Sequence, residues 1–138
     1  MDRRPWLSVH GVWLSPMYKF ERLEVYQLAL DHVDLIYTLA DRLPRIEEFN
    51  LKPQLRRAAT SVVLNIAEGS TGQSNAEQSR FLGMAVRSLF ETVACRDLIC
   101  RRKYIADDDE ILPRLAEKAE TLSRKLQAMR REITRGSG

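Results

Sequence analysis

The segment Leu51-Lys-Pro-Gln-Leu-Arg-Arg-Ala-Ala-Thr-Ser-Val-Val-Leu-Asn-Ile-Ala-Glu-Gly69 leaves a chain of this size few ways to fold. At about 100° per residue, Leu51, Leu55, Ala58, Val62 and Ile66 fall on one line of a helix. Gln54, Arg57, Ser61, Asn65 and Glu68 form a second line directly beside it. Mainly Arg56, Thr60 and Ala67 are left to meet water. A helix so covered is expected to be enclosed by neighbours, some of them sister copies of the chain, with its polar line bonded to them. Pro53 falls in the first turn, where a missing N–H is tolerated, and Gly69 supplies the stop.

The flanking sequence predicts three more helices. The first runs from about Glu24 to Leu43, with one apolar line at Leu23, Tyr26, Leu30, Val33, Tyr37 and Ala40 and a second at Val25, Ala29, His32, Ile36, Leu39 and Leu43. Two adjacent lines make a face wider than a single coiled-coil seam, which again predicts association between copies. Pro44 ends it, and Glu47, Glu48 and Asn50 suit the start of the next helix. Ser74 followed by Glu77 reads as a capping box opening a third helix from about Asn75 to Lys103. That helix carries a line at Phe81, Met84, Ser88, Glu91, Cys95 and Leu98, with Leu82, Ala85, Leu89 and Val93 close by. The acids Asp107–Glu110 suit the positive end of a fourth helix, whose stripe is Leu112, Leu115, Ala119, Leu122, Leu126, Met129 and Ile133. The expectation is an all-α, antiparallel up-down-up-down four-helix bundle over residues 20–135. Residues 1–19 form a loose arm and 136–138 a flexible tail. The pattern begins at Phe20, so Met17 is as good a natural start as Met1.

Composition narrows the function classes. Charged residues are 30% and hydrophobic residues 44%, which fits a folded chain rather than a disordered one. Aromatics at 7% favour helices over sheet. No apolar run approaches a membrane span, and the N-terminus lacks a clear signal peptide, so a cytoplasmic setting is expected. Cys95 and Cys100 point in different directions on one helix and cannot pair there. His10 and His32 are far apart, no Cys/His spacing matches zinc, and no Glu-x-x-His motif occurs. No nucleophile stands beside a base. No catalytic residue, metal or cofactor is therefore expected.

The strings Phe20-Glu-Arg-Leu-Glu-Val-Tyr26, Gln54-Leu-Arg-Arg-Ala-Ala59, Ser61, Asn65-Ile-Ala-Glu-Gly69, Arg80-Phe-Leu-Gly-Met-Ala85, Ser88-Leu89 and Glu91 carry a family resemblance. From about Phe20 to Ile105 the chain resembles the small bacterial four-helix-bundle proteins first met as products of intervening sequences in large-subunit ribosomal RNA genes. Relatives include the accessory variability determinant proteins of diversity-generating retroelements. The resemblance implies a ring-like homopentamer, RNA or a reverse transcriptase as partner, and no catalytic residue. The sequence departs from the family pattern in three places. The arm before Met17 is longer than usual. Val63-Leu64 stand where relatives often carry a proline, so the second helix is expected to be unbroken. Arg87 stands where a glycine before Ser88 is typical, adding bulk and charge at a helix contact.

Two further expectations concern charge. If the turn near Thr71 is tight, Arg57 comes opposite Val86 within reach of Glu91, and Glu68 comes within reach of Arg80. Gln54, Ser61 and Asn65 then complete a hydrogen-bonded line that fixes register. The net charge is only +3, but cations gather at helix ends. Arg101, Arg102 and Lys103 close the third helix, and Arg124, Lys125, Arg130, Arg131 and Arg135 load the end of the fourth. In an antiparallel bundle these are two separate patches. Repeated around a ring, each patch makes a field suited to RNA phosphates. The competing expectation is a protein-only scaffold in which these cations complement helix dipoles.

Overall fold

The computed structural model describes residues 8–9, 12–13, 18–71 and 74–136. Four helices carry the chain: α1 (Glu24–Asp41), α2 (Leu51–Gly69), α3 (Asn75–Arg101) and α4 (Ile111–Gly136). Upstream, two short strands, β1 (Ser8–Val9) and β2 (Val12–Trp13), pair antiparallel. The rest of the expected loose arm up to residue 17, and the last two residues of the tail, lie outside the described residues.

The helix ends have local causes. α1 stops at Asp41, short of the expected Leu43, and a 3-10 turn at Arg45–Glu47 follows Pro44. Glu47, not Asn50, serves the start of α2: its carboxylate accepts from Asn50 Nδ2 at 3.1 Å and from the Leu51 N–H at 3.3 Å. With valine and leucine at 63 and 64, α2 is continuous to Gly69. Ser74 Oγ accepts the Glu77 N–H at 3.2 Å, while the Glu77 side chain turns to Arg80, so only half of the capping box forms. α3 closes on Lys103, which adopts φ 61°. The N–H groups of Lys103 and Tyr104 donate to the carbonyls of Cys100 and Ile99, the pattern that usually employs glycine. Asp109 Oδ1 accepts the Ile111 N–H at 3.0 Å and starts α4.

Burial follows periodicity on three helices. The second line of α1 is buried throughout, from Val25 to Leu43, whereas the first line, apart from the buried Ala40, forms the rim and leaves Tyr37 exposed. All five apolar positions expected on α2 are buried, as are Leu115, Ala119, Leu122 and Leu126 of α4. α3 departs from expectation. Glu91 and Leu98 of its first line are exposed, and Leu82, Ala85, Val86, Leu89, Thr92 and Ile99 face the core instead. Burying the line through Glu91 would strand a carboxylate, whereas the Leu82–Leu89–Ile99 side buries apolar surface at no such cost.

Side-chain contacts tie each helix to its neighbours. Arg56 meets Asp41 and Tyr37 meets Thr60 between α1 and α2. Gln54 meets Glu91 and Ser61 meets Ser88 between α2 and α3. Lys125 meets Glu24 and Lys118 meets Asp31 between α4 and α1. His32 is buried between these walls. Thr92 Oγ1 donates to the Leu89 carbonyl at 2.6 Å, so it is placed to accept from His32 Nε2 at 3.5 Å. The other ring nitrogen, Nδ1, has no hydrogen-bond partner among the described residues. Burial, followed by the nearby Lys118 charge, holds the His32 pKa down at about 4.

Candidate functional site

α2 touches α1 and α3 and turns its remaining side outward. The polar line does not lie inside the protomer: Gln54, Arg57 and Glu68 are exposed, and Ser61 and Asn65 are half-buried. Arg56, Thr60 and Ala67, the residues expected to face water, are themselves half-buried. Arg56 is drawn over the Tyr37 ring at 5.3 Å and onto Asp41. The uncovered strip is therefore Arg57, Leu64 and Glu68. Within one chain, the expected enclosure of α2 does not occur, because two neighbouring helices cannot cover its whole circumference.

Neither expected cross-helix ion pair forms. Glu91 accepts from Gln54 Nε2 at 3.4 Å rather than from Arg57. Arg80 is held on its own helix by Glu77 at 2.7 Å and lies over the Phe81 ring at 4.7 Å, so it does not reach Glu68. Arg57 and Glu68 have no ion-pair partner among the described residues. Ser61 and Asn65 do contribute to a hydrogen-bonded line. Ser61 Oγ lies 2.9 Å from Ser88 Oγ, and Asn65 Nδ2 donates to Ser61 O and Oγ at 2.9 and 3.0 Å. Beside them lies an open groove of about 510 Å³ lined by Tyr37, Arg57, Leu64 and Glu68 among others. Leu64, one of the lining residues, is 53% exposed. The strip thus combines an apolar middle with unpaired charges of both signs.

The two basic ends differ in how far they are neutralised. Arg101, Arg102 and Lys103 are exposed at the end of α3, but the acidic link to α4 folds beside them. Lys103 pairs with Asp107 at 3.0 Å, and Arg102 lies in the field of Glu47. Glu47 also accepts from Tyr104 Oη at 2.8 Å, and that bond is the main reason its pKa is lowered. Asp109 receives both Arg42 amino groups, at 3.1 and 2.5 Å, which holds its pKa at about 2. On α4, Lys125 pairs with Glu24 at 3.1 Å, Arg124 with Glu120 at 3.7 Å and Arg135 with Glu132 at 3.2 Å. Arg130 and Arg131 have no ion-pair partner among the described residues. The Arg130 guanidinium rests on Gly83 of α3: a Cβ there would come within 3.0 Å of Cζ and Nη2. Its Nε is buried without a hydrogen-bond partner among the described residues.

Two features escape a reading by periodicity. Gly83 had a signal, since a glycine inside a helix costs about 1 kcal/mol against alanine and so invites a packing reason. Ile46 and Phe49, 81% and 95% exposed in the link from α1 to α2, were visible as large apolar residues in a loop.

Among the described residues no group of three or more His, Cys, Asp or Glu side chains is placed to hold a metal ion. None of the described helices is long and apolar enough to cross a membrane. Cys95 and Cys100 are free thiols, and burial raises the Cys95 pKa.

Comparison with known proteins places this architecture. No curated protein matches the chain. A crystal structure of a protein of unknown function from the S23 ribosomal protein family of Bacteroides thetaiotaomicron is similar, with a TM-score of 0.69 and 25% identity, over 76% of this chain and 96% of that one. Residues 21–128 match the family model described as 23S rRNA-intervening sequence protein, a stretch that takes in α1, α2, α3 and most of α4. With the family strings of α2 and α3 set on one continuous bundle, the chain belongs to the 23S rRNA-intervening sequence protein family.

Proposed function

We propose that this chain is a non-enzymatic accessory protein, an up-down-up-down bundle assembled as a homopentameric ring. It binds RNA, or an RNA-bound partner such as the reverse transcriptase of a diversity-generating retroelement. One observation carries the RNA reading: Arg130 and Arg131 stand at the end of α4 without a counter-charge among the described residues, while most other cations of the basic clusters are offset by acids. A ring repeats that end around its axis and adds the fields of the copies. The strip of Arg57, Leu64 and Glu68 supplies the contact between copies, because its two charges are of opposite sign and each finds its complement on an identical chain. Contacts to phosphates release counterions, so affinity falls steeply with salt.

Titrating the protein with a structured RNA, followed by fluorescence anisotropy, tests this. Binding at low salt that is lost as salt rises is expected. Absence of binding at low salt, or binding indifferent to salt, refutes it. A second reading, a scaffold that binds only protein, draws on Ile46 and Phe49, whose exposure offers an apolar anchor to another protein. It gains if RNA does not bind.

A further inference from the structure

The open groove between the first turns of α3 and the last turns of α4 has a volume of about 470 Å³ and is lined by Ser79, Gln127, Arg130, Arg131, Thr134 and Arg135. None of these six carries a negative charge. Three guanidinium groups along one groove repel one another unless an anion lies between them. Arg135 alone is paired, to Glu132 on its own helix, and that bond is largely solvent-exposed and screened. Arg130 is held differently. No acid positions it; the missing side chain at Gly83 lets its planar guanidinium lie against α3. A guanidinium fixed by packing and left without a counter-ion is ready to meet a phosphate, since its flat fork matches two phosphate oxygens at once. Ser79, Gln127 and Thr134 add neutral polar groups along the same groove, spread over about two turns of α4, which suits a length of sugar–phosphate backbone. The three arginines also lie beyond the stretch that matches the family model, which ends at residue 128.

We infer that this α3–α4 groove is the seat of an RNA phosphodiester backbone, with Arg130, positioned by Gly83, as its central contact and Arg131 as a second. The inference rests on the RNA reading above and assigns it to one place on the bundle. RNA lies along the groove with a phosphate over Arg130, and the bases face outward unread.

Four proteins titrated with the same fluorescent RNA over a range of salt test it: the full-length wild type, Arg130→Gln, Gly83→Ala and Arg102→Gln. Arg130→Gln is expected to weaken binding about tenfold and to reduce the slope of log affinity against log salt by about one. Gly83→Ala keeps every charge and replaces glycine by the best helix former, so its unfolding midpoint holds or rises. It nevertheless weakens binding, by less than Arg130→Gln does, because the new methyl group shifts the guanidinium by a few tenths of an ångström from the position that packing gives it. Arg102→Gln, at the other end of the bundle, leaves affinity close to wild type. Salt-dependent binding by the wild type that is unchanged in both Arg130→Gln and Gly83→Ala overturns the groove and leaves the RNA reading standing. Loss confined to Arg102→Gln moves the site to the end of α3 and overturns the groove as well. If the wild type does not bind RNA at low salt, both fall together.

Discussion

Leu89→Ala is expected to lower the unfolding free energy by roughly 2–5 kcal/mol. Leu89 is fully buried on α3 in one cluster with Val62, Ile66 and Leu122. Removing its branched end forfeits both its transfer from water and its packing within that cluster, and the helical backbone on either side cannot collapse to refill the space. Phe49→Ala provides the contrast. It removes a larger side chain, yet Phe49 is 95% exposed, so the expected change is within about 0.5 kcal/mol. Urea unfolding of the two variants beside the wild type measures the difference. Similar losses in both would mean that the side of α3 taken as core is wrong.

Between pH 6.5 and about 4, above the range in which Asp109 titrates, acid should weaken the fold chiefly through His32. Its folded pKa is about 4, against an ordinary value of 6.5. Between those values the unfolded chain binds a proton that the folded chain refuses. The contribution of His32 is therefore complete above pH 6.5 and is lost as pH falls towards about 4, amounting to about 3 kcal/mol. The cause is structural: the ring is enclosed by Ile36, Thr92, Val93, Leu115 and Ala119, with Arg96 beside it and the Lys118 charge nearby. An imidazolium there would have a bare N–H at Nδ1. His32→Leu removes the titration, so denaturant unfolding at neutral pH and near pH 4 should show the wild type losing about 3 kcal/mol more than the variant. Parallel losses in the two proteins would exclude His32 as the cause.

The four helices were legible because their punctuation is local. Pro44, Gly69, Ser74 and the acids before Ile111 each act within a turn of where they stand. The cores of α1, α2 and α4 were legible because one side of each is plainly more apolar than the other. α3 offers two defensible sides, and only packing against α2 and α4 decides that Leu89 turns inward while Glu91 turns out. Axial stagger was not legible either. A turn length does not fix which side chains meet, and Gln54 rather than Arg57 takes Glu91.

The candidate site was half legible for the same reason. Clusters of arginine and lysine can be seen in a sequence, but their neutralisation depends on acids from other helices, such as Glu24 against Lys125. What singles out Arg130 is a glycine on α3, far away in the chain. The outward turn of Arg57 and Glu68 was missed because periodicity gives the angles between residues on α2 and leaves open which side the neighbours fail to cover.

That uncovered side is where the account is most exposed to test. Size-exclusion chromatography with multi-angle light scattering, run on the wild type and on Leu64→Asp, reads it directly. One chain weighs 16.0 kDa. The wild type is expected near five times that mass, and Leu64→Asp, with helicity unchanged by circular dichroism, at a smaller one. A wild type eluting at the mass of a single chain would contradict the account, for the strip of Arg57, Leu64 and Glu68 would then face only water.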